Sequence, residues 1–138
     1  MRARGEIELD ATTDNLPQVF SFLEEHLEEV GCPPKAQMQL SVAAEEIFVN
    51  IAHYAYAPER GTAVVRVEVA EEPLTVTLTF IDHGTPYDPL AREDPDVTLS
   101  ADEREIGGLG IYMTKKLVDD VAYEYRDGKN ILKLKKVL

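Results

Sequence analysis

Val65-Arg66-Val67-Glu68-Val69, a break at Glu71-Glu72-Pro73, then Leu74-Thr75-Val76-Thr77-Leu78-Thr79-Phe80: this stretch decides the fold. Valines alternate with charges in the first segment, and apolar residues alternate with threonine in the second. A period of two puts the apolar side chains on one face and the polar ones on the other, so both segments read as strands with one covered face. The acidic, proline-bearing break is a turn, and the pair is an antiparallel hairpin.

Upstream of the hairpin the period changes. From Lys35 to about Ala57 the pattern is helical but apolar nearly all round, which predicts a central, buried helix stopped by Pro58 and Gly61. Before it, Leu16, Val19, Phe20, Leu23, Leu27 and Val30 recur at helical steps opposite acids, an amphipathic helix. Thr13-Asp14-Asn15 offers caps at its start, Gly31 ends it, and Pro33-Pro34 can open the next. Ile7 and Leu9 alternate with Glu6, Glu8 and Asp10 in a first strand with one wet face.

Downstream, residues 84–106 carry Pro86, Pro89, Pro95 and many acids with no steady period. So long a loop in a compact domain is a functional lid or a disordered segment. A helix follows from about Leu109 to Leu117, then Val121, Tyr123 and Tyr125 form one strand face. Asp127-Gly128 is a two-residue hairpin turn, and Leu132 and Leu134 lie on the returning strand. The order predicts an α+β two-layer sandwich: a mixed, mostly antiparallel sheet with helices on one face. With no internal repeat and no linker, residues 1–138 read as one domain.

Composition sets the outer bounds. A chain of 138 residues with 44% hydrophobic content has material for one core and buries about two-thirds of its unfolded surface. The net charge of −12 excludes general nucleic-acid binding, which needs a basic footprint. No apolar run is long enough for a membrane span. The basic start Met1-Arg2-Ala3-Arg4 leads into a strand rather than an apolar signal core, so a cytoplasmic protein is expected. Cys32, beside Pro33-Pro34, is the one cysteine and has no internal disulfide partner, which fits a reducing compartment. Nothing near it would lower its pKa, so it reads as a packed turn residue rather than a catalytic thiol.

The chemistry rests on three short motifs. In Glu45-Glu46-Ile47-Phe48-Val49-Asn50, Glu46 and Asn50 share one helix face, with His53 a further turn along. A buried carboxylate and amide need partners; taken alone, the pair caps a loop or pairs internally. Glu45 points about 100° away and reads as solvated or ion-paired. Asp82 closes the second hairpin strand, and Gly84 follows in Asp82-His83-Gly84. In isolation that is a turn. A carboxylate at a strand end also accepts a hydrogen bond from a base amino group, and glycine lets backbone approach a ring. His83 has no second histidine or cysteine at metal spacing. Gly107-Gly108-Leu109-Gly110 opens a helix, where exposed N–H groups and the positive dipole end suit phosphate. It is neither the dinucleotide fingerprint nor a P-loop. An acidic chain repels a polyphosphate, so only such local features and a divalent cation would hold one.

Together, Glu46-x3-Asn50, Asp82-x-Gly84 and Gly107-Gly108-Leu109-Gly110 resemble the N, G1 and G2 boxes of the GHKL ATPase superfamily, and the element order resembles its Bergerat ATP-binding fold over essentially the whole chain. Length and the stretch Glu46 to Tyr56 resemble one branch, the bacterial anti-sigma factor serine kinases. The resemblance implies ATP and Mg²⁺, with Asn50 as the metal ligand and Asp82 accepting from the adenine amino group. It lays Gly84 along the base, places Gly107, Gly108, Leu109 and Gly110 at the phosphates, and makes Glu46 the general base. It implies an anti-anti-sigma factor and a sigma factor as protein partners, and a homodimer through the edge of the N-terminal strand. Three positions depart from the family pattern: Pro86 replaces a second glycine, Tyr54 replaces a histidine, and Asn130-Ile131-Leu132 offers no threonine. Arg104 is a solvated lid residue or a reach to the γ-phosphate. The rival readings are a non-catalytic, nucleotide-gated binding module and an interaction protein without nucleotide.

Overall fold

The alternation around residues 65–80 becomes a hairpin of β2 (Thr62–Ala70) and β3 (Thr75–Asp82). Its register sets Val65 opposite Phe80, Val67 opposite Leu78 and Val69 opposite Val76. The computed structural model of the chain describes residues 3–56, 61–71, 73–86 and 108–138. Within them the hairpin is joined by β1 (Ala3–Asp10), β4 (Asp120–Arg126) and β5 (Lys129–Val137). The strand order is β1-β2-β3-β5-β4, and all four pairings are antiparallel. Three helices complete the expected α+β sandwich: α1 (Leu16–Glu29), α2 (Pro34–Asn50) and α3 (Gly108–Leu117).

The core lies between that sheet and the helices. Val65, Val67, Val69, Val76, Leu78 and Leu134 on the sheet, with Leu23, Leu27, Leu40 and Phe48 on the helices, are fully buried. Each such side chain stabilises the fold by roughly 1.5–3 kcal/mol through transfer from water. The opposite sheet face is mixed: Val64, Ile81 and Ile131 stand opposite one another across β2, β3 and β5 beside threonines and charges. Arg66 Nε donates to Glu6 Oε1 at 2.8 Å across the β1–β2 pair, an exposed contact worth about 1 kcal/mol at most.

Turn chemistry accounts for the corners. Gly31, at φ 72°, follows α1. Its N–H donates to Glu28 O and that of Cys32 to Leu27 O, both at 3.0 Å, the paired bonds of a Schellman end. Asp127 and Gly128 take φ 55° and 78°, the left-handed pair that a tight two-residue hairpin requires. Pro34 opens α2 at its first position, where its missing N–H costs nothing.

Two local expectations are corrected. Thr13-Asp14-Asn15 forms a short 3₁₀ turn with no side-chain cap; Asn15 Nδ2 instead donates back to Asp10 O at 2.8 Å. α2 is not buried all round either. It contacts both α1 and α3, yet Met38 is 59% and Val42 43% exposed. Apolar residues on its outer side find no covering element among those described, which periodicity alone does not reveal.

Candidate functional site

α2 ends as a regular helix at Asn50, and Ile51–Ala55 continue it as a π-helical turn. Such wide turns inside helices concentrate at functional sites. Asn50 Nδ2 donates to Glu46 Oε1 at 3.3 Å. With the amide N–H engaged there, the carbonyl oxygen is the atom of Asn50 available to a ligand. Asn50 lines a largely apolar cavity walled by Ile47, Ile51 and Ala55 on the helical side and by Phe80, Asp82 and Leu132 on the sheet. Glu46 is half-buried and does not line it. Burial raises the Glu46 carboxyl above its usual range, the Asn50 bond works against that rise, and the neighbouring Glu45 charge adds to it.

Asp82 enters the cavity from the sheet. It lies on the inward face, in register with Ala63 of β2 and Asn130 of β5, and is 4% exposed. Its Oδ1 accepts from the Gly84 N–H and from Asn130 Nδ2, each at 2.9 Å. The structure gives Oδ2 no partner among the described residues, so the second oxygen of this largely buried residue is open, toward the cavity, to a donor from a ligand.

The turn after Asp82 is tied down on three sides. Tyr56 Oη accepts from the His83 N–H at 2.8 Å and donates to Thr62 O at 2.6 Å. Thr85 N–H donates to Ala55 O at 2.8 Å. Asn130 Nδ2 donates to Thr85 O at 2.9 Å and approaches Gly84 O at 3.5 Å. A Cβ on Gly84 would stand 2.2 Å from Ala55 O. The glycine is thus required where strand-end backbone meets the π-helical turn, a reason the sequence did not show.

The third motif is described only in part. Gly108 and Gly110 lie in the first turn of α3, which also carries Leu109; Gly107, Arg104 and the lid from residue 87 onward lie outside the described residues. The first turn of a helix leaves N–H groups without an intrahelical partner and carries partial positive charge, and α3 contacts α2. Lys136 Nζ caps the other end, donating to Leu117 O at 2.9 Å. His53 and His83 are exposed. Cys32 is buried, its thiol pushed up by desolvation and donating to Pro33 O at 3.6 Å, which is no environment for a reactive thiolate.

Three contributors lie outside the sequence motifs: Tyr56, Asn130 and Tyr123. Asn130 stands where the family pattern has a threonine nearby, in phase with the inward-facing Leu132 and Leu134. A polar residue in an apolar phase was the signal available. Tyr123, which also lines the cavity, donates its hydroxyl to Asn130 Oδ1.

Residues 9–136 match the histidine kinase-like ATPase domain family. The chain is 26% identical over 128 residues to the serine/threonine-protein kinase BtrW of Bordetella bronchiseptica, covering 93% of this chain and 89% of that one. It is 30% identical over 110 residues to the serine-protein kinase RsbW of Listeria monocytogenes, covering 76% and 69%. Among solved structures, the RsbU and RsbW domains of a Mycobacterium tuberculosis protein superpose with a TM-score of 0.71 at 22% identity, over 99% of this chain but 32% of that one. A histidine kinase domain from Erythrobacter litoralis superposes at 0.57 with 16% identity, over 91% of this chain and 60% of that one. Both structural likenesses concern the fold.

Proposed function

From the premise that this chain belongs to the histidine kinase-like ATPase domain family, we propose that it binds Mg-ATP between α2 and β3 and transfers the γ-phosphate to a serine of a protein partner. The observation that carries the reading is that Asn50 and Asp82, far apart in sequence, line one apolar cavity. Asp82 Oδ2 meets the adenine amino group, the apolar walls cover the ring, and the first turn of α3 meets the phosphates with Gly107, Gly108 and Gly110. The carbonyl oxygen of Asn50 suits a hard cation that prefers oxygen. Among the described residues no three acidic, histidine or cysteine side chains cluster as a ready metal cage; Asn50 would hold the cation together with the oxygens of the ATP phosphates. When bound, the ion offsets phosphate charge that a chain of net charge −12 would otherwise repel.

In the transfer step the serine hydroxyl oxygen bonds to the γ-phosphorus and the bond to the β,γ-bridging oxygen breaks, releasing ADP. Glu46 takes the hydroxyl proton. A raised carboxyl pKa matches a base that must first hold and later release that proton. Phosphoryl transfer otherwise depends on positioning and charge more than on covalent chemistry.

The partners that fit the reading are an anti-anti-sigma factor as the phosphorylated protein and a sigma factor as the sequestered one, with a homodimer formed along β1. Exposed Met38 and Val42, one turn apart on α2, give a protein partner apolar surface to cover. No helix among the described residues is long and apolar enough to cross a membrane, in keeping with a cytoplasmic site of action. One observation favours a second reading, a nucleotide-gated binder without transfer: Glu46 stands beside the cavity rather than in its lining.

Capture from the source cell with Mg-ATP present, followed by incubation of the captured proteins with γ-labelled ATP, tests both. Labelled phosphoserine on a small captured domain is the expected result. Mg-ATP-dependent capture without label selects the second reading, and no ATP binding overturns both.

A further inference from the structure

We propose that Asn130 and Tyr123 act as a positioning pair that fixes which oxygen of Asp82 meets the ligand, and so set the preference for an amino-bearing purine over an oxo-bearing one. The inference deepens the nucleotide reading above and rests on it.

An asparagine side chain can present either its oxygen or its nitrogen to a neighbour, and the two choices reverse the sign of the interaction. Here the Tyr123 hydroxyl donates to Asn130 Oδ1, which satisfies that end as the acceptor. Nδ2 is then directed the other way, to Asp82 Oδ1 and Thr85 O, each at 2.9 Å. A flipped amide would set oxygen against oxygen at both contacts and would force the tyrosine hydroxyl to turn from donor to acceptor.

The carboxylate follows from the amide. Asp82 Oδ1 receives two donors, Asn130 Nδ2 and the Gly84 N–H. Two donors converging on one oxygen restrain rotation of the group and leave Oδ2 as its open acceptor. Asp82 is 4% and Asn130 6% exposed. Water has little access to repair a mispaired contact there, so an unmatched ligand atom bears the full cost of desolvation. A fixed, buried acceptor favours an exocyclic amino group and opposes a carbonyl oxygen at the same place. Selectivity of this kind is strongest when the buried polar group cannot turn away from the wrong ligand.

The Asn130 contact with Asp82 joins residues far apart in sequence, while Tyr123 and Asn130 meet across the Asp127-Gly128 turn. β5 runs antiparallel beside β3 with Asn130 directly opposite Asp82, and β4 beside β5 sets Tyr125 opposite Asn130 and Tyr123 opposite Leu132. Tyr123 therefore reaches Asn130 along the sheet, and both side chains line the cavity. They touch Asp82 or one another, so their role is to position the group that binds.

The test compares Mg-ATP and Mg-GTP binding by calorimetry in the unaltered chain, Asn130→Leu and Tyr123→Phe. Asn130→Leu keeps side-chain size and removes the donor; the ratio of ATP to GTP affinity should fall about tenfold or more. Tyr123→Phe removes only the hydroxyl that orients the amide, and the ratio should fall in the same direction by less. If Asn130→Leu fails to fold, Tyr123→Phe carries the test alone. A general loss of stability would weaken both nucleotides alike. An unchanged ratio in folded variants that still bind ATP overturns the inference and leaves the nucleotide reading standing; absence of ATP binding by the unaltered chain overturns both.

Discussion

Asn50 donates a side-chain N–H to Glu46 Oε1 across one turn of α2, so the two residues act as one hydrogen-bonded unit with a division of labour. Only Asn50 lines the cavity. Asn50→Ala removes the oxygen offered to the cation and leaves Glu46 without its donor; Mg-ATP binding should be lost. Glu46→Gln keeps an acceptor for the Asn50 amide, so binding should survive while transfer falls by about 100-fold or more, the usual weight of a general base. Calorimetry and labelled-phosphate transfer measure the two effects separately. Undiminished transfer in Glu46→Gln would remove the base role, whereas binding with no transfer by the unaltered chain would leave a nucleotide-gated binder.

Glu46 also links the site to stability. Burial is the main cause of its raised pKa, opposed by the Asn50 bond and reinforced by Glu45. A carboxyl whose folded pKa exceeds its unfolded value contributes fully below the unfolded value, and that contribution is lost as pH rises through the folded one. Glu46→Gln should therefore melt higher than the unaltered, ligand-free chain at pH 7–8. The gap should close as the pH falls below about 4, near the unfolded carboxyl pKa. Thermal melts across that range decide it, and a variant that melts lower at pH 8 would contradict the sign.

Gly84 makes a different prediction from the one its motif suggests. An added Cβ would stand 2.2 Å from Ala55 O and 2.5 Å from Ala55 C. Both are backbone atoms, and Ala55 O is held by the Thr85 N–H. Neither side can yield cheaply, so Gly84→Ala should cost about 1–3 kcal/mol without any nucleotide present. Urea unfolding of the ligand-free protein measures this, and an unchanged midpoint would show that the glycine serves the ligand alone.

What was legible in the sequence was what is local. The period-two hairpin, the Gly31 helix end and the Asp127-Gly128 turn each depend on neighbours a few residues away, and each has a strong side-chain or dihedral signature. The motif residues Asn50 and Asp82 were legible as types, and the fold brings them to one cavity. The support beneath them was not legible, because it runs through register. Asn130 meets Asp82 only when β5 pairs with β3 in the observed phase, and Tyr56 reaches His83 only once α2 has turned wide at Ile51–Ala55. Solvent at Met38 and Val42 was equally hidden, since an apolar residue reads the same whether or not something covers it.

Thr79 shows how far the outer sheet face departs from a simple polar surface. It is 1% exposed on the central strand β3, and its hydroxyl has no hydrogen-bond partner among the described residues. An unmet buried hydroxyl costs free energy that an isosteric methyl does not. Thr79→Val should stabilise the protein by about 1 kcal/mol, read as a rise in the urea midpoint. A loss of similar size would mean that the hydroxyl has a partner in solution.

Tyr56 joins the π-helical turn after α2 to the Asp82 turn through a single oxygen. That oxygen accepts from the His83 N–H and donates to Thr62 O. Burial raises the phenol above its usual pKa; the His83 bond works the other way, while Asp82 and Glu8 add to the rise. The hydroxyl therefore keeps its proton, and both bonds persist, throughout the neutral range. Tyr56→Phe removes both and should cost about 1–3 kcal/mol, with the cost constant between pH 6 and 9. It should also weaken ADP binding, since the turn that presents Asp82 loses one of its ties. Binding that is untouched in a destabilised Tyr56→Phe protein would show that the remaining ties, Ala55 to Thr85 and Asn130 to Asp82, hold the turn by themselves.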